Sequence, residues 1–268
     1  MPNLDAITER NIVEFETLGA TMISNFFSEQ EMQAIDQLVE DGIKSPSSMR
    51  DIFEADENGR PLFFNDFNNW RRIPSIRDFC LDPKLGSAVK KLLNSDTARL
   101  FHDHLIVKEA GTTKATPWHI DKTYYMVDGP KSVSLWTPTT NISANQSLRF
   151  AARSHKGRRL LMPKSFDTNS NLENDPSFED YNKDSVEQDF EIVSWPVQRG
   201  DTVAFSFYTL HSAPACDFTF DRKVFSVRFL GDDAHFDSRV KNPAPPFTQM
   251  GYKSEHGAEL KDAWFPKI

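Results

Sequence analysis

Between residues 98 and 235, four short stretches alternate side-chain character with a period of two, and this pattern most constrains the fold. Phe101, Leu105 and Val107 fall on one side of His102, His104 and Lys108, as the two faces of a β-strand require. The same texture returns in Ser132-Val133-Ser134-Leu135-Trp136-Thr137, Thr202-Val203-Ala204-Phe205-Ser206-Phe207-Tyr208 and Lys223-Val224-Phe225-Ser226-Val227-Arg228-Phe229. Short strands punctuated by Gly and Pro favour a sandwich or barrel. The N-terminal third reads instead as helical. Ser28 and Glu31 have the spacing of a capping box, and Met32, Ile35, Leu38 and Val39 follow at helical period, with Gly42 as the expected stop. Asp82-Pro83 reads as an N-cap and first helical residue ahead of Leu85, Val89, Leu92 and Leu93. No repeat or linker divides the chain. The expectation is a single domain over 1–268, mainly β with flanking helices: a mostly helical flank at 1–97, a β core at 98–235 and an irregular tail at 236–268. The polar, aperiodic stretch 165–189 is expected to be a surface loop or lid.

Composition narrows the functional classes. The net charge, 31 − 39 = −8, argues against a general nucleic-acid binder, whose affinity rests on Lys and Arg. No apolar run reaches membrane-spanning length, so no membrane partner is expected. The N-terminus lacks the basic and apolar regions of a signal peptide. Cys80 and Cys216 are too few and too far apart for a disulfide framework, so a cytoplasmic location is expected. No G-x-S-x-G, P-loop or G-x-G-x-x-G is present, which leaves esterase, NTPase and dinucleotide readings without support.

The sharpest local feature is Trp118-His119-Ile120-Asp121. Residues two apart in an extended segment project to one side, so His119 and Asp121 can reach a common point. An imidazole and a carboxylate there suit a divalent first-row metal. Of the seven histidines, His211 is the best third ligand, because it ends the apolar stretch 203–210 and can point into a barrel mouth. Two His and one carboxylate form the facial triad of non-haem Fe(II) oxygenases, with coordination positions left open. Taken alone, H-x-D also arises on ordinary surface strands. If 203–211 and 222–230 form an antiparallel hairpin, Arg222 lies across from His211 and can hold a carboxylate bidentately. A dicarboxylic 2-oxo acid fits such a site. Arg228 competes for that role, but six residues at about 3.3 Å each separate it from Arg222 by roughly 20 Å, so only one of them can serve. Either arginine also reads as a surface salt bridge.

The sequence resembles the phytanoyl-CoA dioxygenase family of Fe(II)- and 2-oxoglutarate-dependent oxygenases. The likeness runs from Phe15-Glu16-Thr17-Leu18-Gly19-Ala20 through Phe101-His102-Asp103-His104, Thr116-Pro117-Trp118-His119-Ile120-Asp121, Ser154-His155-Lys156-Gly157 and Arg199-Gly200-Asp201. It continues to His211, Arg222-Lys223 and Val227-Arg228-Phe229-Leu230-Gly231. It implies a double-stranded β-helix (jelly-roll) core with helices on one side. His119, Asp121 and His211 become Fe(II) ligands, with 2-oxoglutarate as cosubstrate, O2 as oxidant and Arg222 as partner of the distal carboxylate. Trp136 matches a position lining the cosubstrate pocket. Ser212 is a further cosubstrate candidate, although the family more often has Gly and then Ser after the distal His. Asn145-Gln146-Ser147 lacks the usual Gly, and Ala152-Arg153 stands where Pro-Gly usually precedes Ser-His. Halogenating relatives replace the carboxylate ligand with a small residue. Asp121 therefore favours hydroxylation or a related oxidation of a small organic substrate.

Other residues carry two readings each. His104 and Lys108 share a strand face and are candidates for cosubstrate or substrate contact, against a hydrogen-bonded core role. Tyr124 and Tyr125 are candidate pocket walls, against plain packing. Trp70-Arg71-Arg72 is a candidate anion site, against a salt-bridged turn. His155 reads as structural. The rival functions are a metal- or ligand-binding jelly roll without turnover, and a cupin-like enzyme without 2-oxoglutarate.

Overall fold

The computed structural model describes residues 2–165, 170–173, 175–182, 185–216 and 221–268. Helix α1 (Glu9–Leu18) begins at a capping box of Thr8 and Asn11, and α2 (Glu29–Lys44) at the expected one of Ser28 and Glu31. Gly42 does not stop α2, which runs on to a cap at Ser45. Its lack of a side chain serves packing instead, because a Cβ there would come within 2.9 Å of Leu105. Helices α3 (Pro74–Cys80) and α4 (Pro83–Leu93) follow, the latter capped by Asp82, which accepts from the Lys84 amide.

The main sheet has seven strands. In chain order they are β1 (Ala20–Ile23), β2 (Asp51–Ala55), β3 (Pro61–Phe67), β4 (Arg99–Lys108), β7 (Ser132–Pro138), β10 (Thr202–Phe205) and β12 (Arg222–Leu230), arranged β1-β10-β7-β12-β4-β3-β2. Four strands make the facing sheet: β5 (Thr116–His119), β8 (Arg149–Ala151), β9 (Ile192–Val193) and β11 (His211–Ala213), in the order β5-β11-β8-β9. Strands β6 (Val127–Asp128) and β13 (His235–Phe236) form a separate two-stranded ribbon. The jelly-roll core expected from the resemblance is present, but the N-terminal third is not purely helical. It supplies both edges of the main sheet through β1 and the β2–β3 hairpin. In β3 most residues are buried irrespective of parity, so no alternation marked it as a strand.

Parity along the central strands decides which side chains meet. Leu105, Val107, Val133, Leu135, Phe225, Val227 and Phe229 pack under the helices in one apolar cluster. The opposite face brings Trp136, Val203, Phe205 and Val224 against Phe150 and Ala213 of the smaller sheet. The site lies on that inner face. The C-terminal residues are irregular but not peripheral: Phe247, Tyr252, Leu260 and Phe265 pack with Phe101, Tyr125 and Phe207. Part of the polar loop (166–169, 174 and 183–184) lies outside the described residues. The described part contains a short helix, α5 (Val186–Asp189), and is pinned by reciprocal backbone bonds, Met162 N–H to Glu179 O and Glu179 N–H to Leu160 O.

The expected 203–211/222–230 hairpin does not form. Strand β10 ends at Phe205, and the chain turns at residues 206–210 and enters the other sheet as β11, while β12 pairs with β4 and β7. Polar bonds explain the break: the Gly19 carbonyl accepts from the Ser206 amide (2.9 Å) and the Thr209 hydroxyl (2.7 Å). Gly19 has φ +86°, and a Cβ on it would sit 2.4 Å from both Thr209 Oγ1 and His155 Nδ1. Gly19→Ala combines a left-handed backbone cost of about 1–2 kcal/mol with overpacking of about 1–3 kcal/mol. Chemical denaturation should therefore read a loss of roughly 2–5 kcal/mol. That is about 1–3 kcal/mol more than at the exposed Gly59→Ala control, which shares the left-handed backbone (φ +79°) but whose Cβ would meet no atom within 4 Å.

Candidate metal centre

His119 and His211 are directly paired across β5 and β11, and their ring centroids lie 4.2 Å apart. Cross-strand neighbours on one face are the closest non-sequential residues a sheet provides. Strand β5 ends at His119. Ile120 remains extended, and a 3-10 turn over 121–124 starts at Asp121. The carboxylate is thereby carried to the histidine pair, its Oδ1 3.7 Å from His119 Nε2 and 3.8 Å from His211 Nε2. All three residues are buried, with one ligand atom from each inside a 4.8 Å group.

The donor set suits a divalent metal. Each imidazole directs Nδ1 at the carbonyl two residues earlier, His119 at Pro117 O (2.8 Å) and His211 at Thr209 O (2.9 Å). That bond places the proton on Nδ1 and the lone pair on Nε2, which faces the carboxylate. Burial, and then the neighbouring His211, pushes His119 down to about 3. Burial lowers His211 as well, so both rings are neutral donors at pH 7. Burial alone would raise the Asp121 carboxyl. Arg228, the two histidines and the Ser134 hydroxyl outweigh it and hold the group below its ordinary value. Ser134 donates to Asp121 Oδ2 at 2.9 Å, and Arg228 stands 3.7 Å from the same oxygen.

These donors stand in the wall between two cavities. One is lined by His104, Lys108, His119, Trp136, His211, Ala213, Arg222 and Arg228. The other, about 380 Å³, is lined by Phe53, Phe67, His104, Asp121, Tyr124, Tyr125 and Leu172 among others. The inner face of the main sheet supplies the floor, with Phe67, His104, Ser226, Trp136 and Val203 forming one transverse row across five strands. His104 borders both cavities, and neither of its ring nitrogens has a hydrogen-bond partner among the described residues.

Of the residues singled out by sequence, Arg222 and Trp136 face the first cavity, and Tyr124 and Tyr125 face the second. Arg228 borders the same cavity as Arg222 but stands beside Asp121, with its Nε donating to the Tyr125 hydroxyl at 2.9 Å. Lys108 is opposite Arg222 on β4 and borders the first cavity, not the second. Ser212 has the wrong parity: His211 and Ala213 border the cavity, and Ser212 does not. The Trp70-Arg71-Arg72 cluster is a bonded turn. Arg71 donates to Trp264 O and Arg72 to Ser45 O, with Arg72 3.7 Å from Asp66. Sequence reasoning missed Ser134, although its parity with Trp136 on β7 was readable. It also missed Phe53, Phe67 and Leu172, which no local pattern points to.

Two facing antiparallel sheets with two histidines and an aspartate converging at the mouth define a jelly-roll protein of the facial-triad type. The chain belongs to the phytanoyl-CoA dioxygenase family, whose model matches residues 15–223. Solved structures of similar fold include the non-heme α-ketoglutarate-dependent carbocyclase SnoK from nogalamycin biosynthesis (TM-score 0.76, 19% identity, covering 100% of this chain and 99% of that one). The epimerase SnoN from the same pathway is also similar (0.73, 16%, 97% and 97%). So is EctD from S. alaskensis with 2-oxoglutarate and 5-hydroxyectoine (0.66, 16%, 95% and 86%). No curated protein sequence matches.

A buried ion pair fixes the turn that carries Asp121. Lys122 Nζ bonds Asp237 Oδ2 at 2.7 Å with both side chains out of solvent, and Arg239 also bonds Asp237. Lys122→Met leaves a buried carboxylate short of one partner and should cost about 3 kcal/mol in urea unfolding. Burial raises the Asp237 carboxyl, but Arg239 and Lys122 together hold it well below its ordinary value of 3.8. The stability this provides is complete above the unfolded value near 4 and is lost as pH falls towards the folded one. The wild type should therefore lose more stability between pH 5 and pH 2.5 than Lys122→Met does.

Proposed function

We propose that this protein is an Fe(II)- and 2-oxoglutarate-dependent oxygenase of hydroxylase type, acting on a C–H bond of a small organic substrate as one catalytic unit spanning the chain. The observation that carries this reading is the buried cluster of two neutral imidazoles and one ionised carboxylate within 4.8 Å, in a chain of the phytanoyl-CoA dioxygenase family. When bound, iron would couple O2 reduction to conversion of 2-oxoglutarate into succinate and CO2, with oxidation of the substrate.

The chain's own residues have separable tasks. His119, Asp121 and His211 hold the metal, and the carbonyls of Pro117 and Thr209 keep both rings in the ligating tautomer. Ser134 and Arg228 orient Asp121 and stabilise its negative charge. Arg222, buried beside Trp136, binds the distal carboxylate of 2-oxoglutarate, and the ring nitrogens of His104, without a hydrogen-bond partner among the described residues, are available to bond its other end or the substrate. Phe53, Phe67, Tyr124, Tyr125 and Leu172 wall the second cavity, which would receive the substrate and keep bulk water from the reacting centre. Asp121 occupies the position a halide would need, which favours oxygen insertion over halogenation.

Anaerobic addition of Fe(II) and then 2-oxoglutarate should produce a weak visible charge-transfer band, and His211→Ala should abolish it. An intact band in that variant would refute the ligand assignment. Arg222→Ala should weaken 2-oxoglutarate binding by about 10–100-fold, the worth of a bidentate charge-assisted pair, with metal affinity retained. Arg228→Ala should instead weaken the metal. Succinate formation without primary substrate separates a working oxygenase from a binding protein of the same fold.

A further inference from the structure

The first cavity contains two buried basic side chains where one would suffice to anchor a carboxylate. Lys108 and Arg222 are opposite each other on adjacent strands, 1% and 4% exposed. Neither forms an ion pair with a described residue. Lys108 Nζ donates to the carbonyls of Lys114 (3.1 Å) and Pro214 (3.3 Å), and Arg222 to those of Gln146 (2.7 Å) and Pro214 (3.0 Å). The shared Pro214 oxygen holds the two cationic groups side by side. Phe63 packs its ring 4.2 Å from Lys108 Nζ, so the amine has an apolar wall on one side. Two buried basic groups with no carboxylate partner among the described residues are costly to charge together unless an anion completes them.

We propose that Lys108 is a second anchor for the distal carboxylate of the cosubstrate, and that it takes up a proton when the diacid binds. The proposal rests on the oxygenase reading and deepens it, because it makes selectivity for a dicarboxylic 2-oxo acid the work of two cations. Every group around the amine fits that role. Arg222 on β12 opposes its charge. Among the described residues, Glu54 on β2 is a carboxylate whose charge bears on it, but its oxygens are already bonded to the amides of Thr113 and Lys114. Cys216 is the remaining titratable neighbour, and the facing carbonyls carry no charge. Burial first, and Arg222 second, push the Lys108 amine down to about 6, so near neutral pH the vacant pocket holds a largely neutral amine beside one guanidinium. A carboxylate placed between them favours the ammonium. Binding then takes up a proton at any pH above about 6 and below the raised value of the complex, and affinity falls as pH rises through that window.

Calorimetric titration of 2-oxoglutarate into the anaerobic Mn(II)-loaded protein, in buffers of different ionisation enthalpy, tests this by counting protons. Near pH 7.5 the wild type should take up about one proton, and its Kd should rise with pH from 6.5 to 8.5. Lys108→Met should show no uptake, a Kd at least tenfold weaker at pH 6.5, and reduced preference for 2-oxoglutarate over 2-oxobutyrate. Lys108→Arg, with a permanent charge, should bind tightly without pH dependence or uptake. Tight binding by the wild type without uptake, or an unchanged Kd in Lys108→Met, overturns the role of Lys108 and leaves the oxygenase reading standing. Absence of 2-oxoglutarate binding to the Mn(II)-loaded wild type overturns both. The proton count and the arginine variant decide the matter even if the methionine variant does not fold.

Discussion

The site depends on a cross-strand pair: His119 on β5 directly opposite His211 on β11, each ring held by a carbonyl two residues back in its own chain. The sheet fixes their separation, and the carbonyl bonds fix their tautomer. Asp121 needs only a short turn to join them. Because these positions are set by backbone bonding, the donor set is preorganised, and the entropy of assembling it is met during folding and not during ligand binding.

Around this pair, the main sheet sorts side chains by parity. One face carries Leu, Val and Phe into the helices, and the other carries His104, Lys108, Ser134, Trp136, Arg222 and Arg228 towards the centre. That inner face holds far more charge than a core normally tolerates. Arg228 is neutralised by Asp121, whereas among the described residues Arg222 and Lys108 are satisfied by carbonyls. The imbalance at one end of the cavity is what an arriving dianion would correct, and it gives the two ends of the same strand different chemistry. At one end a cation stabilises a metal ligand. At the other, two buried basic groups border the cavity without a carboxylate beside them among the described residues.

Irregular segments complete the site where regular elements cannot. The β2–β3 hairpin brings Phe53 and Phe67 to the second cavity, the polar loop brings Lys164, Ser165 and Leu172, and the C-terminal residues support Tyr125 through Phe101 and Phe207. Such segments vary freely in length and sequence on a constant frame, so shared architecture with a carbocyclase, an epimerase and EctD carries no information about which substrate this cavity accepts.

Period-two alternation in the central strands, the capping box at Ser28 and the H-x-D motif were legible because each is a local relation between residues a few positions apart. His211 was legible too, as a histidine at the end of an apolar stretch, and Arg222 from its place at the start of a strand. The pairing that unites them was not. The break between β10 and β11 depends on the Gly19 carbonyl, nearly 190 residues away in the chain, and no local pattern encodes such a bond. The strands of the N-terminal third were hidden for a similar reason, since β3 is buried on both sides and shows no alternation. Lys108 was placed on the right strand and face by its parity. Its partnership with Arg222, with no carboxylate among the described residues to neutralise the two, arose only when β4 and β12 came together, because charge balance belongs to the space around a group and not to its neighbours in sequence.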